Sequence, residues 1–248
     1  MKRKERHQLK ENELAEMIVS ARTAFDANRS RLTLILLIVV VAGAVVGGIA
    51  MWRRNTNSRA EQLLADAMVA FNARVIPVTT EPTQPGEVPA AAGIGATGSF
   101  PTVAAKLTAA LPKLKAAADA YPDSDAGITA RYHYASSLAA IGKYDEGIRT
   151  FDDVVRRAGA SSLYGRMALF GKADTQARAG QFDAAIATWK ELASSTDEAL
   201  PKDAILMELG KAYQAAGKTE EARKLFNQIV EEHPTSPYTA EARAELGS

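Results

Sequence analysis

Three glycines in the second half of the chain are each followed, nine residues later, by a large aromatic residue. The pairs are Gly142 with Phe151, Gly180 with Trp189, and Gly217 with Phe226. The segments that they bound are similar to one another: GKYDEGIRTF, GQFDAAIATW and GKTEEARKLF. The copies lie 38 and then 37 residues apart. Self-similarity at such a period predicts a solenoid of stacked units, a fold that presents a long surface to other proteins and seldom contains a catalytic site.

The units of this array are predicted to be helical hairpins. From residue 125 onward, helical segments follow one another with short glycine turns, as in αα-hairpins. Before them, 59–75 and 102–121 also have helical patterns, but 77–101 is rich in proline and glycine and lacks apolar periodicity. We expect the first of these helices to end at Pro77. The two helices are then one hairpin, split by a flexible insertion at 77–101.

The segment from Asp203 to Pro234 resembles a tetratricopeptide repeat. Seven residues fall at the signature spacing of that family: Leu206, Leu209, Gly210, Tyr213, Ala222, Phe226 and Pro234. Copies at 128–159 and 164–200 match the signature less fully, and 238–246 is predicted to be a capping helix. The resemblance implies an all-α fold in which tetratricopeptide-like helical hairpins form an α-solenoid.

A segment without any charge, Leu32–Trp52, precedes the repeats. A helix of 21 residues, rising about 1.5 Å per residue, covers the hydrocarbon core of a bilayer. Arg31 precedes the segment, and Arg53 and Arg54 follow Trp52, as at membrane interfaces. We therefore predict a single transmembrane helix at 32–52. The alternative is a cleaved signal peptide, but its basic region would be too long and apolar residues continue past the cleavage box.

The basic residues predict the orientation of this helix. Residues 1–31 contain eight Lys and Arg against five acidic residues. The positive-inside rule then favours a cytoplasmic N-terminal segment, with the solenoid of 53–248 on the other side of the membrane. Four residues of the N-terminal segment, Leu14, Ile18, Ala21 and Phe25, lie on one face of a predicted amphipathic helix. That helix either binds a surface or partner, or is an ordinary membrane-proximal helix.

Two glycines inside the predicted span, Gly43 and Gly47, are four residues apart. This GxxxG spacing lets two membrane helices approach closely. It favours a homodimer through this helix, or docking onto another membrane helix. The alternative is coincidence, since glycine is common in such helices.

The layout as a whole resembles a bacterial family of single-span tetratricopeptide proteins, typified by the ancillary subunit of the Sec translocon. The resemblance implies an inner-membrane protein with periplasmic repeats that binds translocon subunits, periplasmic chaperones or envelope proteins and has no catalytic activity. The insertion at 77–101 departs from that family's pattern. Repeat proteins that organise Tol–Pal-linked cell-wall constriction are the alternative.

The resemblance also implies a partner-binding groove, because the first helix of each tetratricopeptide unit lines the concave face. Carried over by position, that face contains Tyr132, Ser136, Lys172, Thr175, Gln176, Met207, Lys211 and Gln214. Lys172 and Lys211 then occupy the same position in adjacent units and would together hold an acidic segment or a C-terminal carboxylate. The alternative is that both are ordinary surface lysines.

Composition argues against several other functions. The net charge of +1 gives no indication of nucleic-acid binding, and the absence of cysteine excludes disulfides and thiolate metal sites. A GxGxxG pattern at Gly93, Gly95 and Gly98 lies in the Pro/Gly-rich insertion, without the strand and helix that a dinucleotide site needs. The three histidines are far apart in the sequence. We therefore predict no enzyme activity, cofactor or metal.

Overall fold

A computed structural model of the chain describes residues 29–76, 99–195 and 199–247. The helices in this part of the chain are α1 (Arg29–Phe71), α2 (Val103–Ala120), α3 (Asp125–Ala140), α4 (Tyr144–Ala158), α5 (Leu163–Arg178), α6 (Phe182–Ala193), α7 (Lys202–Ala215), α8 (Thr219–Glu232) and α9 (Thr239–Gly247). Two strands of two residues each, β1 (Arg74–Val75) and β2 (Ser99–Phe100), pair in parallel. The predicted all-α solenoid of helical hairpins is confirmed.

The chain divides into two compact units, one up to Asn55 and one from Thr56 onward. In the first unit, the segment predicted to span a membrane is helical throughout, within α1. The structure describes the side chains of Leu34, 37–49 and Met51 in this segment, and all of them are exposed. Over the described residues, no helix is long and apolar enough to cross a membrane. The predicted amphipathic helix at Leu14–Phe25 lies outside the described residues.

The turn glycines set the geometry of the second unit. Gly142, Gly180 and Gly217 have φ angles of 83°, 75° and 74°, a region that glycine adopts without steric penalty. After each glycine, the next backbone N–H donates to a carbonyl five residues back, as Lys143 does to Leu138 at 2.9 Å. The glycine N–H itself donates to the carbonyl three residues back, as Gly142 does to Ala139. This is the Schellman arrangement, which ends the first helix of each hairpin at the same point.

The aromatic residues that follow the glycines form the seam of the solenoid. Phe151, Trp189 and Phe226 are each about 1% exposed. Four residues before each aromatic stands a small buried residue, Gly147, Ala185 or Ala222, which lets the two helices of a hairpin approach closely. A Cβ added at Gly147 would lie 3.3 Å from the backbone nitrogen of Ala139. The repeated glycine–aromatic spacing is therefore a packing pattern, as predicted.

The split hairpin is also present. Ala67 of α1 lies in one buried cluster with Ala110, Leu114 and Ala117 of α2. The first helix ends at Phe71 rather than at the predicted Pro77, because the chain turns into β1. The N–H of Ile76 donates to the carbonyl of Phe100 at 2.9 Å, so the residues on either side of 77–98 are hydrogen-bonded to each other. The sequence pattern contains no sign of this short ladder.

Candidate functional site

The three Schellman turns define which residues of the first helices are equivalent. Since each of these helices ends in the same way at its glycine, residues at the same distance before the glycine occupy the same position in α3, α5 and α7. Ten residues before the glycines stand Tyr132, Phe170 and Met207. Six residues before them stand Ser136, Asp174 and Lys211. These six residues are called the inner rows below.

The inner rows include only part of the predicted groove. Tyr132, Ser136, Met207 and Lys211 belong to them, and Gln214 follows Lys211 by less than one turn of α7. Phe170 and Asp174 take the places in α5 that were predicted for Lys172, Thr175 and Gln176. The signal that would have found them is the distance back from Gly180, which is set by the turn itself.

Lys172 and Lys211 are therefore not in equivalent positions. Lys172 lies eight residues before its turn glycine, and Lys211 lies six residues before its own. The glycines that directly precede the two lysines, Gly171 and Gly210, also have different neighbours. A Cβ on Gly171 would lie 2.6 Å from the ring of Phe151 in the preceding hairpin, whereas one on Gly210 would lie 2.5 Å from the ring of Phe226 in its own hairpin. The predicted pair of aligned ammonium groups does not form.

Three of the predicted groove residues lie in the core. Thr175 and Met207 have no exposed surface, and Gln176 is about 7% exposed. The hydroxyl of Thr188 donates to the side-chain oxygen of Gln176 at 3.0 Å. Met207 belongs to the same buried cluster as Ala242 of α9. These side chains contribute to packing and are not open to a partner.

Both lysines are neutralised within the chain. Nζ of Lys172 lies 2.6 Å from a carboxylate oxygen of Asp152 in α4. Nζ of Lys211 lies 2.8 Å from Glu241 in α9 and 3.3 Å from Glu208. Burial alone would lower the pKa of Lys211, but its hydrogen bonds and charge interactions with these two carboxylates outweigh burial and raise the pKa. Neither ammonium group is without a counter-charge.

The inner rows carry aromatic and polar side chains near the first repeat. The half-buried ring of Tyr132 lies 5.9 Å from that of Phe151 and 6.2 Å from that of Tyr164, both in edge contacts. Burial raises the pKa of the Tyr132 hydroxyl. Ser136 is half-buried, and Gln214 is exposed and donates to Glu245 of α9 at 2.9 Å.

In the described part of the chain, no group of three His, Asp or Glu side chains could hold a metal ion.

This succession of hairpins, each with a small buried residue and a buried aromatic residue in its second helix, agrees with one repeat family. The tetratricopeptide repeat model matches residues 132–204, 170–237 and 207–248 in three overlapping stretches. Residues 132–248, just under half of the chain, are therefore similar to tetratricopeptide repeats. Arrays of this kind are generally protein-binding scaffolds. A search of curated proteins found no match.

Solved structures share the fold at low sequence identity. A protein from Podosopora anserina, described as a kinesin light chain with nearly identical TPR-like repeats, is 18% identical, with a TM-score of 0.50. The similarity covers 57% of this chain and 76% of that one. MamA from Desulfovibrio magneticus RS-1 is 19% identical, with a TM-score of 0.47, over 57% of this chain and 73% of that one. The first of these similarities supports the fold alone.

Proposed function

We propose that the protein is a membrane-anchored adaptor whose tetratricopeptide repeats bind another protein. The observation that carries the proposal is the register of the inner rows: the first two of these hairpins present equivalent, partly exposed side chains, Tyr132 with Phe170 and Ser136 with Asp174, whereas Met207 is buried. Such repetition suits an extended polypeptide partner, which meets one hairpin after another. Tyr132 and Phe170 provide aromatic surface, and Ser136 and Asp174 provide polar groups.

The membrane anchor is proposed from the sequence of Leu32–Trp52. It contains no charged residue over the length of a bilayer core, and basic residues stand at both ends. The exposed apolar side chains of α1 support the same proposal. Val40 and Val46 are 62% and 66% exposed, and contact of such a row of aliphatic side chains with water is energetically unfavourable.

The compartment and the partner class are proposed from the layout of the chain. We place the N-terminal segment in the cytoplasm and the repeats in the periplasm of a bacterial inner membrane, where translocon subunits, chaperones and envelope proteins are the candidate partners. Protease added to intact spheroplasts is expected to remove the repeats. Repeats that stay protected until lysis would contradict this orientation.

Photocrosslinking tests the binding surface. A photoreactive residue is placed at Gln214, which is exposed beside the inner rows, and in a second variant at Ser136. The matched control is Arg223, which is exposed on the second helix of the last hairpin. We expect the Gln214 and Ser136 variants to capture the same partner and the Arg223 variant to capture none of it.

The identity of the captured proteins decides between two functions. Recovery of translocon subunits or proteins in transit supports the adaptor. Recovery of division or wall-synthesis proteins alone would contradict the adaptor function and support the structural organiser. Equal capture at Arg223 would show that the inner rows are not the binding surface.

One observation favours the organiser as a second candidate. A Cβ added at Gly43 or Gly47 would meet no atom within 4 Å, so this face of α1 is uncovered in the single chain. Small residues at this spacing suit close packing against a second helix. Replacement of both glycines by isoleucine is expected to abolish self-association in detergent. Unchanged association would remove the basis of the homodimer.

A further inference from the structure

Four partly exposed rings form a continuous band across the first helices of three consecutive hairpins. They are Phe71 at the end of α1, His133 and Tyr132 on α3, and Tyr164 at the start of α5. From Phe71 onward, the ring centroids follow one another at 4.9, 5.6 and 6.2 Å, in tilted or edge-on contacts. All four residues are half-buried, so part of each stays accessible. These four residues are called the aromatic band below.

The repeat pattern does not require the rings of this band. Counted back from the turn glycines, the equivalents of His133 and Tyr164 in the other hairpins are not aromatic: Gly171 and Glu208 for the first, and Ala126 and Pro201 for the second. The seam between hairpins is formed by other aromatic residues, which are fully buried. Neighbouring aromatic side chains that stay partly exposed beside a complete seam are typical of a binding surface.

A cation lies at the Phe71 end of the aromatic band. Nζ of Lys106, on α2, is 5.9 Å from the centroid of the Phe71 ring, a cation–π contact. Lys106 is half-buried and forms no ion pair with any residue that the structure describes. This end of the band therefore favours a ligand that carries acidic groups.

One segment outside the described residues, 77–98, begins and ends near the same ring. The N–H of Ile76 donates to the carbonyl of Phe100 at 2.9 Å, and Val75 is paired with Phe100 in the parallel ladder. Ile76 follows Phe71 by five residues, and Phe100 precedes Lys106 by six. Both ends of this 22-residue segment are thus held within a few residues of the Phe71 end of the band.

The segment is long enough to extend along the whole band. A chain that leaves and returns at one place has about eleven residues in each direction, which extend roughly 34 Å at about 3.1 Å per residue. No ring-to-ring step of the band exceeds 6.2 Å. The segment therefore reaches Tyr164 with residues to spare.

The sequence of the segment suits aromatic rings and a cation. It contains four prolines: Pro77, Pro82, Pro85 and Pro89. In a polyproline II helix, with three residues per turn, Pro82 and Pro85 lie on one face about 9 Å apart, close to two ring-to-ring steps of the band. Segments with this PxxP spacing bind aromatic-lined grooves. The segment also contains Glu81 and Glu87 and no basic residue, which complements Lys106.

We propose that residues 77–98 bind to the aromatic band of their own chain, with Pro82 and Pro85 against its rings and Glu81 near Lys106. The tether supplies a high effective concentration, and proline loses little conformational entropy on binding. A proline-rich segment of another protein has the same chemistry, and the second test below separates the two sources. The inference does not depend on the adaptor function.

Disulfide trapping tests the contact in the full-length chain, which has no native cysteine. In nonionic detergent, Gln84→Cys is combined either with Ser136→Cys, one turn from Tyr132, or with Thr108→Cys. Thr108 is the matched control, because it is exposed on α2 two residues after Lys106 and so lies on another face. Each rate of disulfide formation is divided by the alkylation rate of the same cysteine at 136 or 108 in a variant with a Gly/Ser linker of equal length in place of 77–98. We expect the pair with Ser136 to form at least about 10-fold faster.

Proline substitutions separate packing from chance contact. Pro82→Ser with Pro85→Ser removes both rings at constant length and should slow the disulfide with Ser136 about 10-fold, because two apolar contacts are lost. Ala91→Ser with Ala92→Ser, two changes in the same segment, should leave the rate unchanged. Equal rates for the pairs with Ser136 and Thr108, or no effect of the proline substitutions, would overturn the proposal.

A synthetic peptide of residues 77–90 distinguishes the segment from a partner of the same chemistry. At millimolar concentration, comparable to that supplied by the tether, the peptide should slow alkylation of Ser136→Cys in the linker variant and have little effect in the chain that keeps 77–98. Equal protection in both chains would overturn the intramolecular contact and assign the band to a proline-rich partner. No protection in a linker variant with native helical circular dichroism would overturn the proposal as a whole. The adaptor function fails separately, if crosslinking at Gln214 captures no partner.

Discussion

The last two repeats and the junction of α2, α3 and α4 stack helices in the same way but with different chemistry. In the last two repeats, one continuous buried cluster extends from Leu169 to Ala242 and includes Trp189 and Phe226. At the junction, the buried cluster that α1, α2 and α3 share consists of Leu114 and five alanines. A separate cluster on α3, α4 and α5 contains Phe151 and Val154. Beside it, Arg131 bridges Asp119 of α2 and Asp153 of α4.

The difference shows where this chain follows its repeat pattern and where it departs from it. Large apolar residues form the seam of the last two repeats. At the junction, small residues and an arginine leave a cavity lined with charged groups. Stability is therefore expected to come mainly from the last two repeats.

The largest effect is expected for Phe226→Ala. Phe226 is about 1% exposed, and removing a buried phenyl ring costs roughly 3–5 kcal/mol of unfolding free energy. Urea unfolding followed by far-UV circular dichroism measures the loss. Lys224→Ala, an exposed change in the same helix, should stay within about 0.5 kcal/mol of the native chain. A loss of less than about 1 kcal/mol for Phe226→Ala would remove the contrast between the regions.

A smaller loss is expected for Arg131→Leu, which introduces the residue that the other two repeats carry at this position. Asp153 and the carbonyl of Ala118 each lose a donor from Arg131. We expect the unfolding free energy to fall by about 1–3 kcal/mol, again measured in urea. Arg223→Leu is the exposed control. An unchanged or raised stability would mean that the junction does not depend on its ion pairs, as happens when apolar residues replace some buried pairs.

The stability of the protein is expected to depend on pH through the protonation of His133. Its ring packs 4.9 Å from that of Phe71, and burial lowers its pKa. The unfolded chain then binds the proton more tightly, so the unfolding free energy should fall as the pH drops below about 6.5, the usual histidine value. Urea midpoints between pH 8 and pH 5 measure this fall, and His133→Phe should reduce it. Identical pH profiles for the two proteins would assign the dependence to other groups.

The smallest effect is expected for Lys211→Met. Its ion pairs with Glu241 and Glu208 lie partly in solvent, where such pairs contribute at most about 1 kcal/mol and are weakened by salt. A double-mutant cycle with Glu241→Gln at low and high salt isolates the pair. A coupling energy well above about 1 kcal/mol that salt does not change would contradict this expectation. It would mean that the ion pair with Glu241 makes a large contribution to the stability of the capping helix.

Much of the fold follows from local sequence. Each turn glycine accounts for the end of one helix, because the Schellman hydrogen bonds join residues only three and five positions apart. The aromatic residue nine positions later lies on the next helix and faces the seam in every copy. These signals predicted the hairpins, and helical patterns at 59–75 and 102–121 predicted the split unit. The capping helix predicted at 238–246 is present at Thr239–Gly247. The membrane anchor and its orientation remain predictions from Leu32–Trp52 and the basic residues around it.

The candidate site depended on contacts that no local pattern encodes. Lys172 was predicted to be equivalent to Lys211, but the glycine before it, Gly171, faces Phe151 of the preceding hairpin, whereas Gly210 faces Phe226 of its own. The charged cavity likewise joins Arg131 to partners 12 and 22 positions away in the sequence. The sequence by itself determined the repeat and its turns, because they arise from short-range backbone geometry. Only the tertiary structure decided which charges meet, because that depends on how separate helices stack.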